Sequence, residues 1–198
     1  MENLCSYTTR RYFPTVYEPT VFENYVHDIF VDNVHIELSL WDTAGQEEFD
    51  RLRSLSYDDT HTIMLCFSVD SKDSLENVES KWVGEIAENC QGVKLVLVAL
   101  KCDLREADAD AEEGVEGDEP REKAPLVDYQ QGLEVARRIQ ALRYLGTCTR
   151  CYFVTVALTI TECSAKRNRG VNEAFTEAAR VALSVKTPNE GGSKCNLM

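Results

Sequence analysis

Two runs, Thr62-Ile63-Met64-Leu65-Cys66-Phe67-Ser68-Val69 and Lys94-Leu95-Val96-Leu97-Val98-Ala99-Leu100-Lys101, are apolar at nearly every position rather than at every second one. A strand with one wet face alternates, whereas a strand covered on both faces reads as a continuous apolar run of the kind found in parallel sheets between helices. The segments that follow have helical spacing instead. Leu75, Val78, Trp82 and Ile86 form one stripe, Leu133, Val135, Ala136, Ile139 and Leu142 a second, and Ala174, Phe175, Ala178, Val181, Ala182 and Val185 a third. Asp73 with Glu76, and Asp128 with Gln131, supply capping-box chemistry at two of the helix starts. Alternating strand and helix predicts an α/β, doubly wound and mostly parallel sheet. One pair departs from it: Phe22 to Val31, a turn at Asp32-Asn33, and Val34 to Trp41 read as an antiparallel hairpin.

A chain of 198 residues and 22.4 kDa holds one domain with a real core. No apolar run reaches the length of a membrane span, and no secretory signal opens the sequence. The net charge of −13 argues against nucleic acid as a general partner. It is unevenly spread, because Glu106 to Glu122 holds nine acidic residues against Arg121 alone, which leaves −5 for the rest. Such a segment repels itself and reads as a solvated excursion. Eight cysteines without regular spacing read as reduced thiols, with Cys66, Cys90, Cys102 and Cys163 as small core residues. Cys148-Thr149-Arg150-Cys151 has no second pair, and only His27, His35 and His61 could join it, so zinc or redox chemistry there is disfavoured.

Chemistry concentrates at strand ends. Leu38 to Glu47 reads as a strand ending in Asp42, a turn at Gly45 and a polar helix start from Gln46. That layout suits a phosphate and metal site, with Asp42 toward a hydrated Mg²⁺ and Gln46 toward a water, although alone it is equally an ordinary strand exit. The second apolar run ends in Lys101-Cys102-Asp103, and Glu162-Cys163-Ser164-Ala165-Lys166 is another polar exit. Three such ends fit one crevice at the carboxyl edge of a parallel sheet.

With these residues the chain resembles the Ras-like small GTPases: Asp42 to Glu47 matches the family's DTAGQE, Lys101 and Asp103 its base-reading K-x-D, and Ser164-Ala165-Lys166 its S-A-K. Tyr17 to Tyr25 resembles the switch I of the Rho branch, in its fungal members, and Cys195-Asn196-Leu197-Met198 resembles a prenylation box. The resemblance implies GTP and GDP with Mg²⁺ as ligands. It places Phe13, Tyr17, Thr20, Asp42, Ala44, Gly45, Lys101, Asp103, Leu104, Ser164, Ala165 and Lys166 around the nucleotide, Thr20 and Asp42 at the metal, and Gln46 as the catalytic water-orienting residue. It assigns Tyr17, Val21, Phe22, Glu23, Asn24 and Tyr25 to effectors, and Cys195 to lipidation. A Rho-type switch in cell polarity, actin organisation and exocytosis is implied, with exchange factors, GTPase-activating proteins and effectors as partners. Its place is the cytoplasmic face of the plasma membrane, held to the inner leaflet by a prenyl group. Residues 1–185 are then the GTPase domain, with a Rho-type acidic insert at 105–127, and 186–198 a flexible tail.

Two departures qualify this. The family opens on a strand, a G-x-x-x-x-G-K-[ST] phosphate loop and a helix, but no glycine here is followed by lysine, and Met1 to Arg11 reads as coil or a frayed helix end. The expected sheet is therefore incomplete, lacking its first strand and most of its first helix. Alternatives to a working switch are a nucleotide-free effector-binding fragment and a truncated gene product without a stable native form. A smaller difference is Leu100, where the family usually carries Asn or Thr.

The other departure is Gly146 to Thr161, which splits the family's continuous Leu-Arg-Tyr-Leu-Glu-Cys-Ser-Ala-Lys. Within it Tyr152 to Ile160 is an uncharged β-prone run. It serves either as an insertion or as the strand leading into Glu162, with Arg143 to Leu145 displaced into a loop. The residues suit a translated intron: a Glu162 codon split after its first G, followed by GT, gives Gly at 146, and a closing ACAG gives Thr at 161 before restoring the Glu. Sixteen codons keep the frame, so the C-terminal box survives. Sequencing of the mature transcript is expected to show Leu145 joined to Glu162; a dominant message that carries codons 146–161 and yields soluble protein would rule the intron out.

Overall fold

The computed structural model describes residues 22–105, 125–145, 163–184 and 194–197. The expectations for residues 1–21, for the body of the acidic segment and for Tyr152 to Ile160 lie outside these. The chain builds β1 (Phe22–Val31), β2 (Val34–Thr43), a 3-10 turn at Glu47–Phe49 and α1 (Asp50–Leu55). These are followed by β3 (Thr62–Ser68), α2 (Lys72–Asn77), which passes through a π-helical stretch, Val78–Trp82, into α3 (Val83–Asn89), and β4 (Lys94–Leu100). Then come α4 (Tyr129–Arg138), β5 (Arg143–Leu145), α5 (Val171–Leu183) and β6 (Lys194–Leu197). One sheet runs in the order β1-β2-β6-β3-β4-β5; only β1 and β2 pair antiparallel.

The hairpin forms where the sequence places it. Asp32 and Asn33 both have positive φ, 49° and 64°, as a two-residue type I′ turn demands, and Asx side chains tolerate that region best after glycine. Alternation along β2 then puts Ile36, Leu38 and Leu40 inside. They share a cluster with Val96, Val98, Cys163 and the α5 face Ala174, Phe175, Ala178, Val181 and Ala182. The other face of β3 and β4, through Ile63, Leu65, Phe67, Leu97 and Ala99, packs on Leu75, Val78, Ile86, Leu133, Val135 and Ala136. Helices thus cover both faces, which is why β3 and β4 carry no alternation.

Several local expectations need correction. The N-cap of α2 is Ser71, whose side chain accepts from the Ser74 amide, so Asp73 falls inside the first turn and Asp73 with Glu76 does not cap. In α4 the Asp128–Gln131 box forms in both directions, at 2.8 and 2.9 Å. That helix ends before Leu142, which is 41% exposed, because Gln140 turns the backbone to φ 55°. In α1, Leu52 and Leu55 share a helical spacing with Phe49, yet they are 42% and 68% exposed, and Arg53 is buried.

Two larger features concern the departures. The tail expected to be flexible throughout 186–198 contributes β6, since the doubly covered space between β2 and β3 favours an extended apolar segment, and Leu197 is 1% exposed. Arg143–Leu145 is a strand against Val96–Val98, not a displaced loop, and the Cys102 amide donates to the Cys163 carbonyl at 3.4 Å. Leu145 and Cys163 therefore both lie along the same edge of β4, a few positions apart. At the acidic segment the feet are also closed: the Val127 amide donates to Val69 O at 2.8 Å, and Arg105 Nε donates to Val127 O at 3.0 Å.

Removing 146–161 leaves Glu162 to link Leu145 to Cys163. Closing a loop of this length costs about 2 kcal/mol, so the variant lacking 146–161 is expected to gain about 5 °C in thermal midpoint. An unchanged or lower midpoint by scanning calorimetry would contradict the strand geometry described.

Candidate functional site

Because β2, β3 and β4 run parallel, their carboxyl ends open on one edge of the sheet, and the segments that leave them meet there. At the end of β4 the backbone turns through Lys101. Cys102 is fully buried, and the Leu104 amide returns to Lys101 O at 3.0 Å. This turn points Asp103, 7% exposed, at Ser164, 0% exposed, whose hydroxyl donates to the Asp103 carboxylate at 2.7 Å. Ser164 is itself fixed by reciprocal backbone bonds with Arg169, at 2.9 and 3.0 Å, and its Oγ accepts from the Arg167 amide at 3.1 Å. A carboxylate is acceptor-only, so a nearly buried Asp103 held from one side offers its remaining capacity to a ligand carrying N–H donors. Ala165 is half-buried and Lys166 exposed at the rim.

Lys101 lies at the same edge with its ammonium 3.1 Å from Asp70, just after β3. Burial pushes the Asp70 carboxyl upward, but the Ser68 hydroxyl and Lys101 outweigh it and hold the group below its ordinary value. Across the edge, β2 delivers Asp42 and Ala44, both buried, then Gly45 and Gln46, both exposed. A methyl on Gly45 would meet only the Trp82 ring, at 3.5 Å, an ordinary contact; any demand for glycine there comes from the open side of the loop. Among the described residues no cluster of three or more metal-ligating side chains occurs. Mg²⁺ commonly takes one or two carboxylates plus phosphate oxygens and waters, and Asp42 suits that role.

The residue that positions the loop after β2 is one the sequence reading missed. Arg53 donates Nη1 to Ala44 O at 2.6 Å, grips Glu85 of α3 at 2.6 and 2.9 Å, pairs with Asp50 and lies 4.9 Å from the Trp82 ring centroid. Tyr57 Oη donates to the same Glu85 at 2.7 Å. Burial works against the Arg53 charge, yet Glu85 and Asp50 overcome it and hold the guanidinium cationic well above its usual range. Burial likewise raises Glu85, and the bonds from Arg53 and Tyr57 prevail and lower it. The signal available in sequence was weak: an arginine amid apolar spacing, with Asp50 three residues earlier.

Of the expected effector residues, Phe22 stacks at 5.4 Å on Trp41, Asn24 is exposed, Glu23 is half-buried, and Tyr25 packs toward the α5 cluster. Phe13, Tyr17, Thr20 and Val21 lie outside the described residues. Asp103, Ser164, Lys101 and the loop after β2 are thus brought to one edge.

Comparison with known proteins agrees with this arrangement. The Ras family model matches residues 3–184. The chain belongs to the Ras family. It is 59% identical to the GTP-binding protein RHO3 of Eremothecium gossypii and 55% identical to that of Saccharomyces cerevisiae, in each case over 99% of this chain and 87% of the relative. Human RhoB is 48% identical over 91% of the chain and 81% of its own length. The branch is therefore that of Rho-type small GTPases, and the Ras-family fold of a parallel sheet with one antiparallel hairpin is the one observed.

The Arg53–Glu85 pair makes a pH prediction. The folded Glu85 pKa lies below its ordinary 4.5, so its contribution is complete above that value and is lost as pH falls through the lowered one. Melting curves are expected to show the difference between the chain and Glu85→Gln shrinking below about pH 4.5, while Arg53→Ala costs about 3–5 kcal/mol at neutral pH by leaving Glu85 unpaired. A pH-independent difference would show that the carboxylate charge is not what Arg53 grips.

Proposed function

We propose that this chain is a guanine-nucleotide-binding protein of Rho type, built to act as a GTP-dependent switch in polarity, actin organisation and exocytosis. The observation that carries this is the buried Asp103–Ser164 pair at the end of β4, with Lys101 beside it. Asp103 accepts from the paired N–H donors of a guanine edge, Ser164 holds the carboxylate in place, and Ala165 and Leu104 close around the base. Asp42 at the end of β2, with Thr20, would hold Mg²⁺, which would neutralise phosphate charge when bound. Gln46, exposed beside Gly45, orients a water. Tyr17, Val21, Phe22, Glu23, Asn24 and Tyr25 meet effectors, while exchange factors and GTPase-activating proteins act on the same edge.

This polypeptide holds nucleotide by its base far better than by its phosphates, since no glycine in its sequence precedes a lysine, as a phosphate loop of the family type requires. That same observation favours a second reading, a nucleotide-free fragment that retains effector contacts. Residues 146–161 are a retained intron in this proposal. Cys195 takes a farnesyl group, directed by Met198, and carries the chain to the cytoplasmic face of the plasma membrane. Among the described residues no helix is long and apolar enough to cross a membrane. With only Lys186 and Lys194 as basic residues in the tail, a single lipid gives reversible binding.

Titration with mant-GDP is expected to give micromolar or weaker affinity, with GDP preferred over ADP. Asp103→Asn is expected to weaken GDP about ten- to a hundred-fold, in keeping with loss of a hydrogen bond to a charged group. Nanomolar affinity would mean that another segment supplies phosphate amides, and equal binding of ADP would remove the guanine reading altogether.

A further inference from the structure

The residues that carry the lipidation signal lie in the middle of the sheet. Lys194, Cys195, Asn196 and Leu197 stand opposite Glu37, Leu38, Ser39 and Leu40 of β2, and Leu197 also stands opposite Thr62 of β3. Leu197 is 1% exposed and shares its cluster with Ile36, Leu38, Leu40 and Phe175. A segment lying between two parallel strands is captured chiefly by main-chain bonds, so the demand on its side chains falls on the few positions that reach the core. Leu197, inside the Cys195-Asn196-Leu197-Met198 box, is such a position.

The geometry points to a strand-accepting slot between β2 and β3 whose occupant is the chain's own Lys194–Leu197, so that the C-terminal box is either a sheet strand or a lipid acceptor, never both at once. The second half of this rests on the reading of Cys195 given under Proposed function. Transfer from farnesyl diphosphate forms a bond between the Cys195 sulfur and C1 of the farnesyl group, breaks the C1–O bond, and releases diphosphate and the thiol proton. Cys195 stands level with the fully buried Leu38 in a strand lying between β2 and β3, and a close-packed sheet has no room for an added prenyl chain along that strand. Lipid transfer therefore requires β6 to leave, and the lipid then keeps it out. The unlipidated chain hides its own membrane signal; the lipidated one exposes the edge of β2.

Hydrogen exchange on the full chain tests this. Amides of Cys195 to Leu197 are expected to exchange at least about ten-fold more slowly than in a free peptide of residues 186–198. Leu197→Asp should abolish that protection and speed exchange at Leu38 to Leu40, and the milder Leu197→Ala should do so in part, which serves if the aspartate variant does not fold. Farnesylation should give the same loss at Leu38 to Leu40, and purified farnesyltransferase should modify the folded chain about ten-fold more slowly than the peptide. Free-peptide exchange rates at the box, or a farnesylated chain with unchanged protection at Leu38 to Leu40, overturns the proposal. A peptide that accepts no farnesyl group overturns the Cys195 reading and the exclusivity with it, whereas slow exchange at the box lost in the Leu197 variants still supports the slot.

Discussion

Main-chain pairing in a sheet covered on both faces is the constraint on which the rest of this protein depends. β3 and β4 sit between α5 on one side and α2 to α4 on the other, and Val96, Val98, Leu97 and Ala99 are fully buried. An N–H or C=O left unpaired in such a layer costs as much as a lost hydrogen bond, with no water to replace it. The sheet therefore recruits strands. That demand draws Lys194–Leu197 in beside β2 and keeps Arg143–Leu145 on the far edge of β4.

The same layering decides where chemistry can be placed. Parallel strands bring their carboxyl ends to one side, and each exit there is held by a different device: a left-handed Lys101 after β4, a buried Arg53 under the loop after β2, and an Asp70–Lys101 pair linking β3 to β4. Arg53 is the most consequential of these because it ties Ala44, one residue before Gly45, to Glu85 on a separate helix. One guanidinium thus holds the end of β2 and α3 together. Surface pairs such as Arg180–Asp32 and Arg138–Glu79 are exposed and carry far less.

Much of this was legible in the residues, and what was not has a physical reason. The hairpin could be read because alternation and an Asp-Asn turn agree, and the Asp128–Gln131 cap because both partners are local. The buried strands were recognisable by their lack of alternation. The failures fall where tertiary contacts override local pattern. Leu52 and Leu55 have helical spacing yet face outward, while Arg53 goes inside because Glu85 and Ala44, remote in sequence or hidden in the backbone, satisfy it. Ser71 displaces Asp73 as a cap because Ser74 is also engaged by the end of β3. β6 could not be read from a polar, glycine-containing tail at all, since what selects it is the space between β2 and β3 and not its own propensity.

The two halves of this edge differ in how much of the chain they need. One is assembled from β4, the turn through Lys101 to Leu104, and the short stretch from Cys163 to Gly170. Its key bonds, Ser164 to Asp103 and Ser164 to Arg169, are internal to that corner. None of them passes through β6, α1 or the loop after β2. The other side has no such independence: Asp42 and Ala44 are at the end of β2, whose inner edge is the one paired to β6, and the loop beyond them is held through Arg53 by α3. Disturbance at the centre of the sheet therefore acts first on Asp42, Ala44 and the loop beyond them, and leaves the Asp103–Ser164 corner intact.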